Sequence, residues 1–121
     1  WHGWRFDHGV SLADALVKYR REHPSDTPQA VFVNDDQLSA EVIFQLLKRK
    51  YRIPEDFAFI SWDGLEISRY FIRSLTTVEI PHSRMIEAAE AFLSGRQKLG
   101  RHEYPPAIRE GVSMPARGAA G

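Results

Sequence analysis

The sequence predicts an α/β domain built on a parallel sheet, and three observations predict it. Two short apolar runs, Val31-Phe32-Val33-Asn34-Asp35-Asp36 and Phe57-Ala58-Phe59-Ile60-Ser61-Trp62-Asp63-Gly64, each stop abruptly at polar acceptors. A strongly periodic segment from Asp36 to about Tyr51 lies between them. Strand, helix and strand over this length form one right-handed βαβ unit. In open parallel sheets ligands bind beyond the carboxyl ends of the strands. Asn34, Asp35 and Asp63 sit at those ends and are the candidate liners of a small-molecule site.

The remaining elements follow in order. A first helix fits Ser11 to Glu22, with Ser11 as its cap and Asp14 three residues on, a weak capping box. Leu12, Ala15, Leu16 and Tyr19 repeat at helical spacing as its apolar face. Pro24 and the turn Ser25-Asp26-Thr27-Pro28 end it. A strand spans Gln29 to Val33, ahead of the helix from Asp36. Ile53-Pro54-Glu55-Asp56 is a turn, and the next strand covers Phe57 to Ser61. Gly64 to Tyr70 reads as one short helical turn, and Thr76 to Ile80 as a strand ending at Pro81. His82 to Leu93 is a helix with Met85, Ile86, Ala88, Ala89, Phe92 and Leu93 on one face, stopped by Gly95. Arg96 to Pro106 is a polar connector, Ala107 to Pro115 supplies one or two short edge strands, and Arg117 to Gly121 forms a loose tail.

Composition narrows the functional classes. The 121 residues suffice for one small domain. Lys plus Arg and Asp plus Glu both number 16, so no surface of polyanion-binding density is expected, and Lys48-Arg49-Lys50 suits a helix C-terminus. Cysteine is absent, which excludes a disulfide framework and thiolate metal sites and fits a reducing, cytoplasmic compartment. The five histidines (His2, His8, His23, His82, His102) show no paired ligand spacing, so neither a metal nor another cofactor is expected. No apolar run approaches the roughly 20 residues of a membrane span. The chain opens on Trp1 rather than Met, without a secretory signal, and reads as a fragment or processed piece.

The helix from Asp36 carries more apolar surface than one sheet contact needs. Leu38, Val42, Ile43, Phe44, Leu46, Leu47 and Tyr51 spread over roughly 240° at about 100° per residue. Two arrangements account for this: a helix buried deep in its own domain, or one with a face on the sheet and a face on a partner subunit.

Taken together the motifs resemble the effector domain of the lactose-repressor/galactose-repressor (LacI/GalR) family of bacterial transcription regulators. That family shows an apolar strand ending in N-D, a helix, a V-P-E-D turn into a strand ending in aromatic-D, and an L-T-T-V strand. Here Val31-Phe32-Val33-Asn34-Asp35, Ile53-Pro54-Glu55-Asp56-Phe57-Ala58-Phe59-Ile60-Ser61-Trp62-Asp63 and Leu75-Thr76-Thr77-Val78 follow in that order at similar intervals. Trp4, five residues before Gly9, matches the family's aromatic approach to a helix, and Arg117-Gly118 loosely matches its closing motif.

The resemblance implies a three-layer parallel-sheet sandwich, the C-terminal part of a periplasmic-binding-protein-like fold. Residues 1–78 would be the C-terminal subdomain. Residues 79–103 would be a crossover and a helix that packs on an N-terminal subdomain, and residues 104–121 the return segment and tail. Without that subdomain, the apolar face of helix 82–93 is expected to meet another copy or to fold onto the C-terminal sheet. The resemblance further implies that Asn34 and Asp63 hydrogen-bond effector hydroxyls and that Trp4 stacks on the effector's ring. A carboxylate accepts from adjacent hydroxyls, an amide reads a hydroxyl either way, and an aromatic face suits the C–H side of a sugar. The family's effector-binding arginine falls upstream of Trp1. Ile80 stands where a glutamine is usual, Gly64 replaces a second aspartate and Ser61 a glycine.

For partners, the resemblance implies a small-molecule effector, a sugar or related metabolite, and DNA contacted only through a helix-turn-helix outside this chain. It also implies a homodimer through helix 36–51, with no membrane contact. Ile43, Leu47 and Phe44 form the surplus apolar arc, and the resemblance adds Ser39, Val42 and Phe71 near the two-fold axis. Simpler roles stand beside each choice: Asp35 as a helix cap, Asn34 as a turn residue, Asp63 in an Asx-turn, Trp4 as an anchor or core filler. A phosphoacceptor receiver domain is disfavoured, because its acidic strand ends are spaced by more elements. An enzyme is disfavoured, because no nucleophile elbow, P-loop or dinucleotide fingerprint occurs. A periplasmic sugar-binding component of a transporter shares the implied fold and is the nearest alternative to a regulator.

Overall fold

The computed structural model describes residues 7–25, 29–98 and 100–116. The order is α1 (Asp7–Glu22), β1 (Gln29–Phe32), α2 (Asp36–Lys48), β2 (Phe57–Asp63), α3 (Ile67–Tyr70), β3 (Thr76–Glu79), α4 (His82–Leu93) and β4 (Ala107–Arg109). One sheet runs β1-β2-β3-β4. The first three strands are parallel and β4 closes the edge antiparallel to β3. This is the open, parallel-dominated α/β sheet that the βαβ pattern predicts.

The helix starting at Asp36 ends at Lys48 rather than near Tyr51, because Lys50 takes a positive φ of 69°. Tyr51 turns back to meet Phe57 edge-on, with ring centroids 5.3 Å apart. Helix α1 begins at Asp7, so Ser11 lies inside it rather than at its start. Its buried row is Gly9, Ala13 and Val17, with Leu12 and Leu16 beside it, while Ala15 and Tyr19 face outward. Tyr19 instead stacks on His23 at 4.0 Å. The expected face was displaced by part of a turn because the packing partner is a helix: α1 lies on α2, and Gly9 admits a close approach of Glu41.

That crossing settles the broad apolar arc of α2. Val42, Ile43 and Leu46 are wholly buried among Ala13, Val17, Ile53, Phe57, Phe59 and Leu75. The helix is sandwiched between α1 and the sheet, so most of its apolar arc is covered inside the chain, with Phe44 and part of Leu47 left outward. Ser39, Val42 and Ile43 therefore cannot form a dimer face, contrary to expectation. Ser39 is fully buried and shares a 2.8 Å hydrogen bond with the Ser61 hydroxyl on β2. Leu47 and Phe71 are half-buried against the same core, and Phe44 is 44% exposed.

Strand alternation sorts the two sheet faces. Phe57, Phe59, Ser61 and Thr77 point toward α2 and are buried. The opposite face carries Phe32, Ile60, Trp62, Val78 and Ile108 in adjacent register. Phe32 and Trp62 form an exposed edge-to-face pair at 6.5 Å. Among the described residues no helix covers that face, so this chain supplies two of the three layers. Helix α4 is not folded onto the sheet either. None of its residues is buried. It runs beside the connector, where Ala88, Ala89, Phe92 and Tyr104 border an open groove of about 290 Å³.

Candidate functional site

The carboxyl ends of β1 and β2 lie side by side, because Val31 pairs with Phe59 and Phe32 with Ile60 in parallel register. That register brings together Asn34, Asp35 and Asp63, the residues named from the sequence. Trp4 lies outside the described residues. Asn34 is exposed. Asp35 caps α2: with an extended backbone, its Oδ1 accepts from the Leu38 N–H at 2.7 Å. Its carbonyl accepts from the Ser39 N–H and hydroxyl at 3.0 and 2.9 Å.

Asp63 ends β2 with a φ of +116°, a conformation that side chains with a Cβ rarely adopt. Gly64 follows at +74°, and a Cβ there would fall 2.7 Å from the Glu79 Cα, so only glycine fits. Burial pushes the Asp63 carboxyl above its usual range, and the nearby charges of Asp35 and Asp36 push it further, while His82 pulls it back. The Asp63 carbonyl accepts from the Ile80 N–H at 3.3 Å, tying the strand end to the crossover.

Two residues that sequence reasoning overlooked complete the arrangement. Asp36 is fully buried, with Oδ2 accepting from the Leu65 N–H and Oδ1 from the Thr77 hydroxyl, both at 2.7 Å. The Thr77 oxygen in turn accepts from the Gly64 N–H at 3.3 Å. Asp36 entered the sequence reading only as the start of the helix, which gave no hint of its tertiary role. The inward face of β3 was the available signal for Thr77. Farther out, Glu79 meets Arg109 at 3.3 Å and Arg69 at 3.5 Å, and Arg109 Nη2 donates to the Ser68 hydroxyl at 2.6 Å. That network anchors α3 and β4 beside the site. Next to it, Gly64, Glu79, Pro81, His82 and Pro105 border an open groove of about 460 Å³.

Chemically, the strand ends offer a free amide, a strained carboxylate and a rigid backing, with no nucleophile or base-nucleophile pair. They lie at the carboxyl edge of an open, largely parallel sheet, the edge where sheets of this class bind ligands. The chain belongs to the periplasmic binding protein-like domain family, whose model matches residues 2–117.

It is similar to the HTH-type transcriptional repressor PurR of Vibrio atlanticus, 33% identical over 97 residues, covering 80% of this chain and 28% of that one. It is also similar to the NTD biosynthesis operon regulator NtdR of Bacillus subtilis, 32% identical over 79 residues, covering 64% of this chain and 24% of that one. Among solved structures, a LacI family transcriptional regulator from Lactobacillus casei with bound sucrose superposes with a TM-score of 0.71. It is 25% identical, over 91% of this chain and 41% of that one. This chain thus spans about a quarter of the length of the two regulators. The likeness to LacI/GalR effector domains suggested by the strand-end motifs is borne out, and these relatives are transcription regulators, not enzymes. No helix among the described residues is long and apolar enough to cross a membrane.

Proposed function

We propose that this chain is the carboxyl-terminal part of the effector-sensing domain of a LacI/GalR-type transcription regulator. The carrying observation is the convergence of Asn34, Asp35 and Asp63 at adjacent strand ends in a chain matched over nearly its whole length by the periplasmic binding protein-like family. Asn34 and Asp63 hydrogen-bond the hydroxyls of a sugar or related metabolite, Trp4 stacks on its ring, and Asp35 holds the helix that presents Asn34. Effector binding between two subdomains favours one hinge state, and DNA-binding heads outside this chain respond. Residues 1–78 and 104–121 act as one subdomain, and 79–103 as the crossover whose helix packs on the other. The regulator works in the cytoplasm without a cofactor. The regulator relatives weigh against a transporter component.

The active unit is a homodimer. With Ser39, Val42 and Ile43 buried, its contact uses the outward side of α2 and the α3 end, around Phe44, Leu47 and Phe71.

The test is isothermal titration calorimetry on the full-length regulator, with sucrose and glucose as first probes. Asp63→Ala and Asn34→Ala each remove a hydrogen bond to the effector, costing about 1.5–3 kcal/mol for the charged partner. That is roughly a 10- to 150-fold weaker Kd with the fold intact. Unchanged affinity in both variants for a sugar that wild type binds would refute the site.

A further inference from the structure

We propose that Asp36 is the positioning residue that locks the two ligand-bearing strand ends to each other, fixing Asp63 relative to Asn34. Its importance for effector binding rests on the reading above; its geometry does not.

Asn34 and Asp63 end different strands, and β1–β2 pairing stops at the bond from the Val33 N–H to the Ile60 carbonyl (3.0 Å), short of both. Beyond that point the backbone of the second strand turns sharply. Asp63 and Gly64 are consecutive residues at positive φ, +116° and +74°. Such a turn springs back unless its surroundings over-determine it. Asp36 supplies that restraint. It sits two residues after Asn34 on the first turn of α2 and is wholly buried. One carboxylate oxygen takes the Leu65 N–H directly. The other takes the Thr77 hydroxyl, whose oxygen takes the Gly64 N–H. The two amides that follow Asp63 are therefore held, one directly and one through Thr77, by a group covalently fixed to the Asn34 segment. Each oxygen of Asp36 is engaged within the protein, so it backs the site and is not offered to a ligand. Its charge also reaches Asp63, as do those of Asp35 and His82.

The test is amide hydrogen exchange on the full-length regulator, with Asp36→Asn, Asp36→Ala and Thr77→Val compared with wild type. The reference amide is Phe59, which donates to the Ser113 carbonyl on the same strand, away from the turn. In Asp36→Ala, protection at Gly64 and Leu65 falls about tenfold relative to Phe59, the change expected for one lost hydrogen bond. The Asp63 amide–Hα coupling, which reports its positive φ, shifts with it. In Thr77→Val only Gly64 loses protection. In Asp36→Asn, whose amide oxygen still accepts from Leu65, Leu65 stays protected while the Asp63 carboxyl titrates at lower pH. Unchanged protection at Gly64 and Leu65 in Asp36→Ala, or an equal loss at Phe59, overturns the proposal. Should Asp36→Ala not fold, Thr77→Val decides alone: selective loss at Gly64 supports the lock and no change refutes it. None of these readouts involves the effector, so a failed calorimetric test and a failed lock are told apart.

Discussion

Ile43 offers a direct test of how α2 is used. Its side chain is 0% exposed, between α1 and the sheet, next to Val42 and Leu46 with the same burial. Ile43→Val removes one methyl and costs about 0.5–1.5 kcal/mol, and Ile43→Ala about 2–5 kcal/mol through lost transfer energy and a cavity. For a domain of this size each kcal/mol lowers the melting temperature by roughly 3–6 °C. Ile43→Ala therefore melts about 10–20 °C below wild type at a cost near 3 kcal/mol. Ile43→Asp adds an unpaired buried carboxylate to that loss, and the sum approaches the roughly 5–15 kcal/mol that holds a whole domain together. It should be unfolded at 25 °C. Phe44→Asp, one residue on and 44% exposed, should keep the fold. If α2 does join two copies, Phe44→Asp is the variant that separates them. Circular dichroism melts read the first effect and sedimentation velocity the second. An Ile43→Asp protein that melts cooperatively within a few degrees of wild type would refute the burial argument.

Two further predictions concern the site and the helix crossing. The folded Asp63 carboxyl is held above its ordinary value, so its protonated form favours the fold; that contribution is present below the unfolded pKa near 4 and lost as pH rises through the folded pKa. Asp63→Asn should therefore gain urea resistance over wild type at pH 7 and show a smaller gain near pH 3.5, whereas an equal difference at both would refute the charge argument. At the crossing, a Cβ on Gly9 would lie 2.3 Å from the Glu41 side chain, whose Oε1 is buried with no partner among the described residues. Gly9→Ala should cost about 1–3 kcal/mol, and most of that should vanish in a Glu41→Ala background; additive denaturation energies would show that the clash is with something else.

Period and punctuation carried most of the fold. The βαβ unit was visible because apolar runs of strand length end in turn-forming acids, and α4 was placed at its observed limits because Pro81 and Gly95 bracket a clean apolar stripe. What failed was partner assignment. A residue's spacing says that it is buried, not by what. The wide arc on α2 looked the same whether covered by another subunit or by α1, and the α1 face was misjudged by part of a turn for the same reason. The placement of Asn34, Asp35 and Asp63 at adjacent strand ends was legible because it follows from the βαβ topology. Asp36 was not, because its two hydrogen-bond partners, Leu65 and Thr77, lie 29 and 41 residues away in sequence.

The joint between Asp63 and α4 has a mechanical meaning. Ile80 donates its N–H to the Asp63 carbonyl, the His82 N–H returns to Ile80, and α4 begins at once. A twelve-residue helix is about 18 Å long. With no residue buried, little but the joint sets its direction. A reorientation of the Asp63 peptide by about 15° would swing the Leu93 end by roughly 5 Å, taking the helix as a straight rod of that length. The strand end is thus the short arm of a lever and α4 the long one: a small rotation of the Asp63 peptide corresponds to several ångströms at Leu93.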